Sequence, residues 1–402
     1  MPEFTTNIQL QKKNKPLRVL QFGRFNNAEQ NGGIERHMQL LCTGLSDLDV
    51  DVTYLVAGDS LRSKASKVNT PTSSYRMVEA ATVGTYFSTA ASPMQVLKAI
   101  MLHRKQAFDV VHLHFPNPLA HFASWVLPKK IKRVITWHSD IVRQKRLLSL
   151  YLPFLRRVTL RADAVIAATL AHFTSSTQIP SSLPAIKRHV IPYGRDFSDL
   201  TLTSSTEAIC TSLKTKAKSA SKSGRIIFAL GRHVYYKGFD VLIEAMQHVD
   251  AQLLLGGDGS LKTELQKQAQ QLGITDKVRF TGSIPESELA AYFHACDAFC
   301  LPSVAQSEAF GLVQLEAMAC GKPVVCTQLN NGVNVVNQAG VTGLTVPVRD
   351  PIALAKALNT LLQDEALRFK LGNQAKTHAI NGYSLSAMSA AHLALYQTLL
   401  CT

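Results

Sequence analysis

The sequence predicts an α/β protein with two doubly wound parallel sheets, and three observations carry that prediction. At 402 residues the chain exceeds what one hydrophobic core usually serves, and its 46% hydrophobic content is enough for two. Short apolar runs of strand length alternate with helical segments twice over, the pattern of parallel sheets covered on both faces. Between the two series lies a stretch rich in Ser, Thr and Lys. The expected layout is a polar leader over 1–16, a first domain over 17–196, a connection over 197–223 with one short helix, a second domain over 224–382, and a closing helix within 383–402.

In the first domain, Leu17 to Phe22 reads as a buried strand, followed by the turn-rich GRFNNAEQNGGIERH and a helix from Ile34 to Leu45. Gly32 and Gly33 let a ligand approach the backbone closely, without the spacing of a dinucleotide fingerprint. Strands follow at Val52 to Ala57 and Tyr75 to Val78, then a helix over Pro93 to Lys105 and a strand from Asp109 to His114. His112 and His114 share one face of that strand at period two. Two histidines can begin a metal site, but no carboxylate or cysteine cluster stands beside them, so no metal is expected and His114 is placed facing the space between the domains. The next strand, Val134 to His138, ends in WHSD; Trp137 either packs in the core or narrows a ligand cleft, and His138 alone reads as a structural strand-end histidine. A strand with its lead-in over Arg161 to Ala167, and the segment His189 to Gly194, close the domain.

The second domain opens with the strand Arg225 to Leu230 and the loop GRHVYYKG. Arg232 and Lys237, five apart at a strand's carboxyl end, can converge on one anion, because Arg offers a planar fork and Lys a mobile point charge. A strand over Ala251 to Gly256, a plain GGDGS turn, a helix over Leu261 to Leu272, a strand over Val278 to Gly282 with Ser283-Ile284-Pro285 behind it, and a helix over Glu286 to Ala295 come next. The strand Asp297 to Pro302 then leads through a glycine-containing turn into a helix over Gly311 to Ala319. Free N–H groups at Phe310, Gly311 and Leu312, carrying about half a positive charge from the helix dipole, make a place for phosphate. Glu308 and Glu316 bracket the turn with seven residues between them. Taken alone they read as a solvated loop residue and a helix-surface charge; around an anion site they suit the hydroxyls of a ligand with sugars on both sides of its phosphates. Val324 to Cys326 and Thr345 to Pro347 complete the sheet, and the last two helices are expected over Pro351 to Gln363 and Tyr383 to Leu399.

The net charge of +15 calls for an anionic partner. Between Lys129 and Arg161 stand ten basic residues and one acid, Asp140, and RQKRLLSLYLPFLRRVTLR mixes Leu, Tyr and Phe among them. Either an anionic membrane surface or a solvated basic face accounts for this; no nucleic-acid motif accompanies it. No apolar run reaches spanning length and the start lacks a signal-peptide core, so a cytoplasmic protein is expected, peripheral on the inner face of the plasma membrane if the basic segment binds lipid. Seven scattered cysteines read as reduced thiols, mostly buried.

The stretch SVAQSEAFGLVQLEAMACGKP, from Ser303 to Pro323, resembles the signature of retaining glycosyltransferases of family four, which have the two-domain GT-B fold of Rossmann-like sheets facing across a cleft. The resemblance implies Glu308 on the donor sugar, Glu316 on the nucleotide ribose, and the amides of Phe310, Gly311 and Leu312 on the donor. It implies Arg232 and Lys237 on the diphosphate, Gly32 and Gly33 in the glycine loop facing diphosphate and acceptor, Ile284 in the loop against the nucleobase, and His138 beside the sugar. His138, Glu308, Arg232 and Lys237 form the implied catalytic set. The HVIPYG segment resembles the family's turn into the linker, and the closing helix is implied to cross back onto the first domain. No cofactor and no metal are implied: the nucleotide-sugar is a substrate, and no DxD motif is placed to hold Mg²⁺. WHSDIVRQK and the Ser303 stretch look most like bacterial enzymes that build cell-surface polysaccharide, lipopolysaccharide included, on lipid carriers, many of them mannosyltransferases. Transfer from GDP-mannose to a lipid-linked saccharide is the first expectation and a UDP-hexose donor the second. A phosphorylase, a nucleotide-sugar epimerase and a non-catalytic sugar-nucleotide-binding subunit are the remaining alternatives.

Overall fold

The computed structural model describes residues 15–25, 33–86, 89–90, 92–141 and 145–402. In chain order the elements are β1 (Arg18–Phe25), α1 (Gly33–Ser46), β2 (Asp51–Ala57), β3 (Lys64–Asn69), β4 (Ser74–Ala80), the short pair β5 (Thr85–Tyr86) and β6 (Thr89–Ala90), α2 (Met94–Lys105), β7 (Val110–Phe115) and α3 (Pro118–Val126). Then come β8 (Lys132–Trp137), α4 (Lys145–Arg161), β9 (Ala164–Ala167), α5 (Leu170–Ser175), β10 (Arg188–Val190) and α6 (Ser204–Ala220). The rest runs β11 (Ile226–Leu230), α7 (Phe239–Ala245), β12 (Gln252–Gly256), α8 (Lys262–Gln271), β13 (Val278–Gly282), α9 (Leu289–Ala295), β14 (Ala298–Leu301), α10 (Leu312–Ala319), β15 (Val324–Thr327), α11 (Gly332–Val336), β16 (Gly343–Val346), α12 (Pro351–Gln363), α13 (Glu365–Gly382) and α14 (Leu385–Cys401). Strand order is β10-β9-β8-β7-β1-β2-β4-β3 in a sheet of eight and β13-β12-β11-β14-β15-β16 in a sheet of six.

The chain divides into two compact units, one of residues 1–113, 117–134 and 393–402, the other of 114–116 and 135–392. In the first, β1 runs parallel to β2 and to β7, and β2 parallel to β4. His112 meets the Tyr396 hydroxyl at 2.6 Å, and the Gln21 amide donates to that hydroxyl at 3.3 Å, so the end of α14 is tied to the centre of this unit. In the second unit, alternation along the strands of the six-stranded sheet sends successive residues to opposite faces. Ile226 and Phe228 enter a core with Phe299, Leu315 and Val324, while Ile227 and Ala229 enter another with Leu242, Leu253 and Leu358. Both faces are covered, and this is why the strands read as unbroken apolar runs.

Four expectations need correction. The connection over 197–223 is no loose linker with a short helix: α6 runs for 17 residues, capped by Thr203 and burying Cys210, Leu213 and Ala217. Those three lie at helical spacing, diluted by Ser, Thr and Lys on the exposed side. Between the last two predicted helices stands a third, α13, whose Gly372 lies where a Cβ would meet the Gly321 carbonyl oxygen at 2.2 Å. The sheet of eight also carries an antiparallel strand, β3, which pairs with β4 and is exposed almost throughout, so it has no apolar face to announce it. A further helix, α3, follows β7 after Asn117, whose side chain accepts from the Ala120 N–H.

Trp137 is fully buried, stacked on Phe115 at 3.9 Å between ring centres, with its indole N–H donating to Asp140 at 3.0 Å; it is a core residue. All seven cysteines are free, five of them buried, Cys320 half-buried and Cys401 exposed. Among the described residues no helix is long and apolar enough to cross a membrane.

Candidate active site

In the sheet of six, chain order reverses between β11 and β14, which lie side by side and parallel. Loops leaving two such strands diverge to opposite faces and open a crevice at their carboxyl ends, where ligands of doubly wound sheets bind. The loop after β11 carries Arg232 and Lys237, and the loop after β14 carries Glu308. Both arrive already fitted to each other. Gly238 takes a left-handed φ of 66°, and a Cβ there would stand 2.1 Å from the Pro302 carbonyl oxygen, so only glycine lets the β11 loop press against the end of β14. The Val304 N–H donates to the Tyr236 carbonyl at 2.8 Å across the same junction.

This packing brings Lys237 Nζ to 2.5 Å from Glu308 Oε2, where the Ser303 hydroxyl also donates at 3.1 Å. Both charged groups are buried, each about nine-tenths. The Asn331 side-chain amide holds the Glu308 carbonyl at 2.8 Å, fixing the loop from the other side. Arg232 is exposed, and among the described residues no hydrogen bond or ion pair ties its side chain; the structure therefore brings Lys237 to Glu308 but leaves Arg232 beside them unengaged.

Gly311, at φ 69°, precedes α10 as its cap. The first amides of a helix have no partner within it, and those of Phe310, Gly311 and Leu312 donate to nothing among the described residues. The Phe310 side chain is buried against Gly332, where a Cβ would sit 3.0 Å from the Phe310 ring. Glu316 projects from the second turn of α10, 4% exposed, and takes a hydrogen bond from Arg195 Nε at 3.0 Å. Ile284 is half-buried, near Gly256 at the end of β12.

His138 ends β8 and is 2% exposed. Its Nδ1 lies 2.7 Å from the Tyr193 hydroxyl and its Nε2 3.0 Å from His114 Nδ1. Burial pushes the Tyr193 hydroxyl well above its ordinary pKa, so it keeps its proton. Burial first, then the neighbouring His392, lowers His114 to about 3. A protonated phenol donating to Nδ1 assigns the His138 proton to Nε2, directed at a neutral His114. The Tyr193 ring packs on Phe310 at 4.8 Å, and Phe310 on Tyr383 at 5.9 Å, so His138 joins the turn before α10 through one aromatic side chain.

Of the residues singled out in the sequence, Lys237, Glu308, Phe310, Gly311, Leu312 and Glu316 stand around the end of β14. Gly33 opens α1, and Gly32 lies outside the described residues. Sequence reasoning missed Tyr193 and Arg195 as partners of His138 and Glu316. The available signal was the HVIPYG segment itself, followed by a charged residue at a position that packing makes buried.

Comparison with known proteins supports this arrangement. Solved structures share the fold: the sucrose-phosphate synthase of Thermosynechococcus elongatus superposes with TM-score 0.78 at 21% identity, covering 96% of this chain and 99% of that one. Anabaena Alr3699/HepE, solved with UDP and glucose, superposes with TM-score 0.72 at 19% identity over 95% of this chain and all of that one. The fold is GT-B, two parallel-sheet α/β domains. Residues 31–198 match the model of Glycosyltransferase Family 4 and residues 212–378 that of Glycosyl transferases group 1. The D-rhamnosyltransferase WbpZ of Pseudomonas aeruginosa is 30% identical over 361 residues, 90% of each chain. The O-antigen chain mannosyltransferase C of Escherichia coli is 29% identical over 316 residues, 78% of this chain and 82% of that protein. The chain belongs to this family of glycosyltransferases.

Proposed function

We propose that the enzyme is a metal-independent retaining hexosyltransferase that moves mannose from GDP-mannose to a hydroxyl of a lipid-linked saccharide in cell-surface polysaccharide synthesis. The observation that carries the donor site is the buried Lys237–Glu308 pair beside the unengaged amides of Phe310 to Leu312, with Glu316 in the same helix. The printed activities of the two relatives, mannosyl and rhamnosyl transfer, support a hexose donor.

As C1 of the sugar parts from the diphosphate oxygen, the ring becomes oxocarbenium-like and negative charge gathers on the leaving group. Lys237, Arg232 and the amides at the start of α10 take up that charge; losing one such donor costs on the order of a hundredfold in rate. Because Lys237 rests on Glu308 before donor arrives, the diphosphate draws the ammonium toward itself and frees Glu308 oxygens for sugar hydroxyls. Glu316 accepts from the ribose, and Ile284 lies against the base. The acceptor oxygen attacks C1 on the face the diphosphate leaves, and its proton passes to the departing phosphate. His138 orients the sugar.

Peripheral contact with an anionic membrane surface completes the reading. On α4, Arg156, Arg157 and Arg161 are exposed beside Leu147 and Leu150, while Leu155 and Val158 are buried. The first test is thermal stabilisation by GDP, UDP, ADP and their common sugar conjugates, repeated on Glu316→Ala and Arg232→Ala. A ligand at a hundredfold excess over its dissociation constant adds about 2.7 kcal/mol. A shift with GDP and GDP-mannose, lost in both variants, is expected; a UDP-specific shift replaces the donor, and no shift at all overturns the reading. The anomeric configuration of the product, read by NMR, tests retention.

A further inference from the structure

Arg195 is a buried cation at the end of the first domain match, and its position is fixed at both ends. Its main chain is held by the segment that opens α14: the Arg195 N–H donates to the Tyr383 carbonyl at 2.9 Å, and the Leu385 N–H donates to the Arg195 carbonyl at 3.0 Å. Its guanidinium meets three carboxylates. Nε donates to Glu316 Oε1 at 3.0 Å, Nη2 donates to Asp199 Oδ2 at 2.6 Å, and Nη2 stands 3.7 Å from Glu286 Oε1. Burial disfavours the charge, but Glu316 and Asp199 outweigh it and the guanidinium is held in its protonated form.

Two of these three carboxylates sit in donor segments: Glu316 on α10 and Glu286 two residues beyond Ile284. A carboxylate has two oxygens, and a guanidinium bound through Nε to one of them leaves the other for a further donor. We propose that Arg195 is the positioning residue for Glu316: it keeps that carboxylate ionised and turned so that its second oxygen accepts from the ribose hydroxyls of the nucleotide. This rests on the reading of Glu316 as the ribose ligand. Arg195 itself touches no part of the donor. Its consequence is selectivity for ribonucleotides over their deoxygenated counterparts, a property of the nucleoside end and not of the diphosphate.

The test compares GDP, UDP and ADP with the 2′,3′-dideoxy analogue of each, by calorimetric titration of the wild type, Arg195→Met, Arg195→Lys and Glu316→Gln. Hydrogen bonds to a charged group imply a ribo-over-dideoxy preference of ~10- to 100-fold for the nucleotide the wild type binds. Arg195→Met is expected to reduce the ratio to about one, because a misplaced carboxylate no longer favours either form. Arg195→Lys is expected to restore part of it. If Arg195→Met binds both forms with the wild-type ratio, however weakly, the positioning role is wrong and Arg195 is only structural. If Glu316→Gln keeps the ratio, the ribose reading of Glu316 fails by itself, and if the wild type binds none of the nucleotides the donor-site reading fails with it. Should Arg195→Met not fold, as judged by circular dichroism, Asp199→Asn loosens the other end of the guanidinium without touching Glu316. A lowered ratio in that variant supports the proposal, and an unchanged one overturns it.

Discussion

At the scale of single residues, the buried pair Lys237–Glu308 decides both stability and rate. Lys237→Met leaves Glu308 buried without its cation, a change that costs about 3–5 kcal/mol when a buried partner is removed. The expected result is a lower urea midpoint together with a loss of about a hundredfold or more in kcat/KM. Tyr193→Phe removes one hydroxyl and leaves the ring packed on Phe310. Its expected effect is a roughly tenfold fall in kcat with unchanged nucleotide affinity, since the lost hydrogen bond orients His138 and touches no nucleotide. Equal losses in kcat and nucleotide binding would contradict that assignment.

Three buried histidines set the acid limit. Burial lowers His121 to about 3 and His392 to about 4, and burial with His392 lowers His114 to about 3. Their folded pKa values lie below the unfolded value of about 6.5, so below that pH the unfolded chain takes up protons that the native one refuses. Stability is therefore complete above pH 7 and falls as pH drops toward 4. Each histidine contributes up to about 1.4 kcal/mol per pH unit. Urea unfolding at pH 7, 6 and 5 measures the slope, and a flat profile would show these rings charged in the native state.

At the scale of elements, α6 and the turn at Gly238 differ in how openly the sequence announces them. Leu213 is buried in α6, and Leu213→Ala should cost about 2–5 kcal/mol, whereas the same change at exposed Lys214 should not move the urea midpoint. Helix α6 was hidden because its buried stripe is thin and its exposed side is built from residues common in loops; α13 was hidden because its glycines read as stops. Gly238 was legible as a turn residue, but not the reason for it. Gly238→Ala combines left-handed backbone strain with a clash against the Pro302 carbonyl, expected at about 2–5 kcal/mol, and displaces Lys237 from Glu308. A variant with normal stability and activity would show that the loop has another arrangement.

For the molecule as a whole, the charge of +15 predicts salt-dependent attraction to anionic surfaces. Sedimentation with phosphatidylglycerol vesicles at low salt, weakened at high salt and by Arg156→Glu with Arg157→Glu, is the expected outcome; vesicle binding unaffected by the double variant would remove α4 as the contact. The alternating apolar pattern by itself determined the parallel sheets, because strand and helix periods are local properties of the chain. It also determined which residues stand at strand ends, and so the list headed by Lys237, Glu308 and Glu316. Only tertiary structure decided their partners. Lys237 and Glu308 are 71 residues apart, His138 and Tyr193 are 55, and Arg195 and Glu316 are 121. Which charge a buried carboxylate meets depends on how distant loops pack at the reversal of strand order, and that packing is a cooperative outcome of the whole core that no local stretch of sequence specifies.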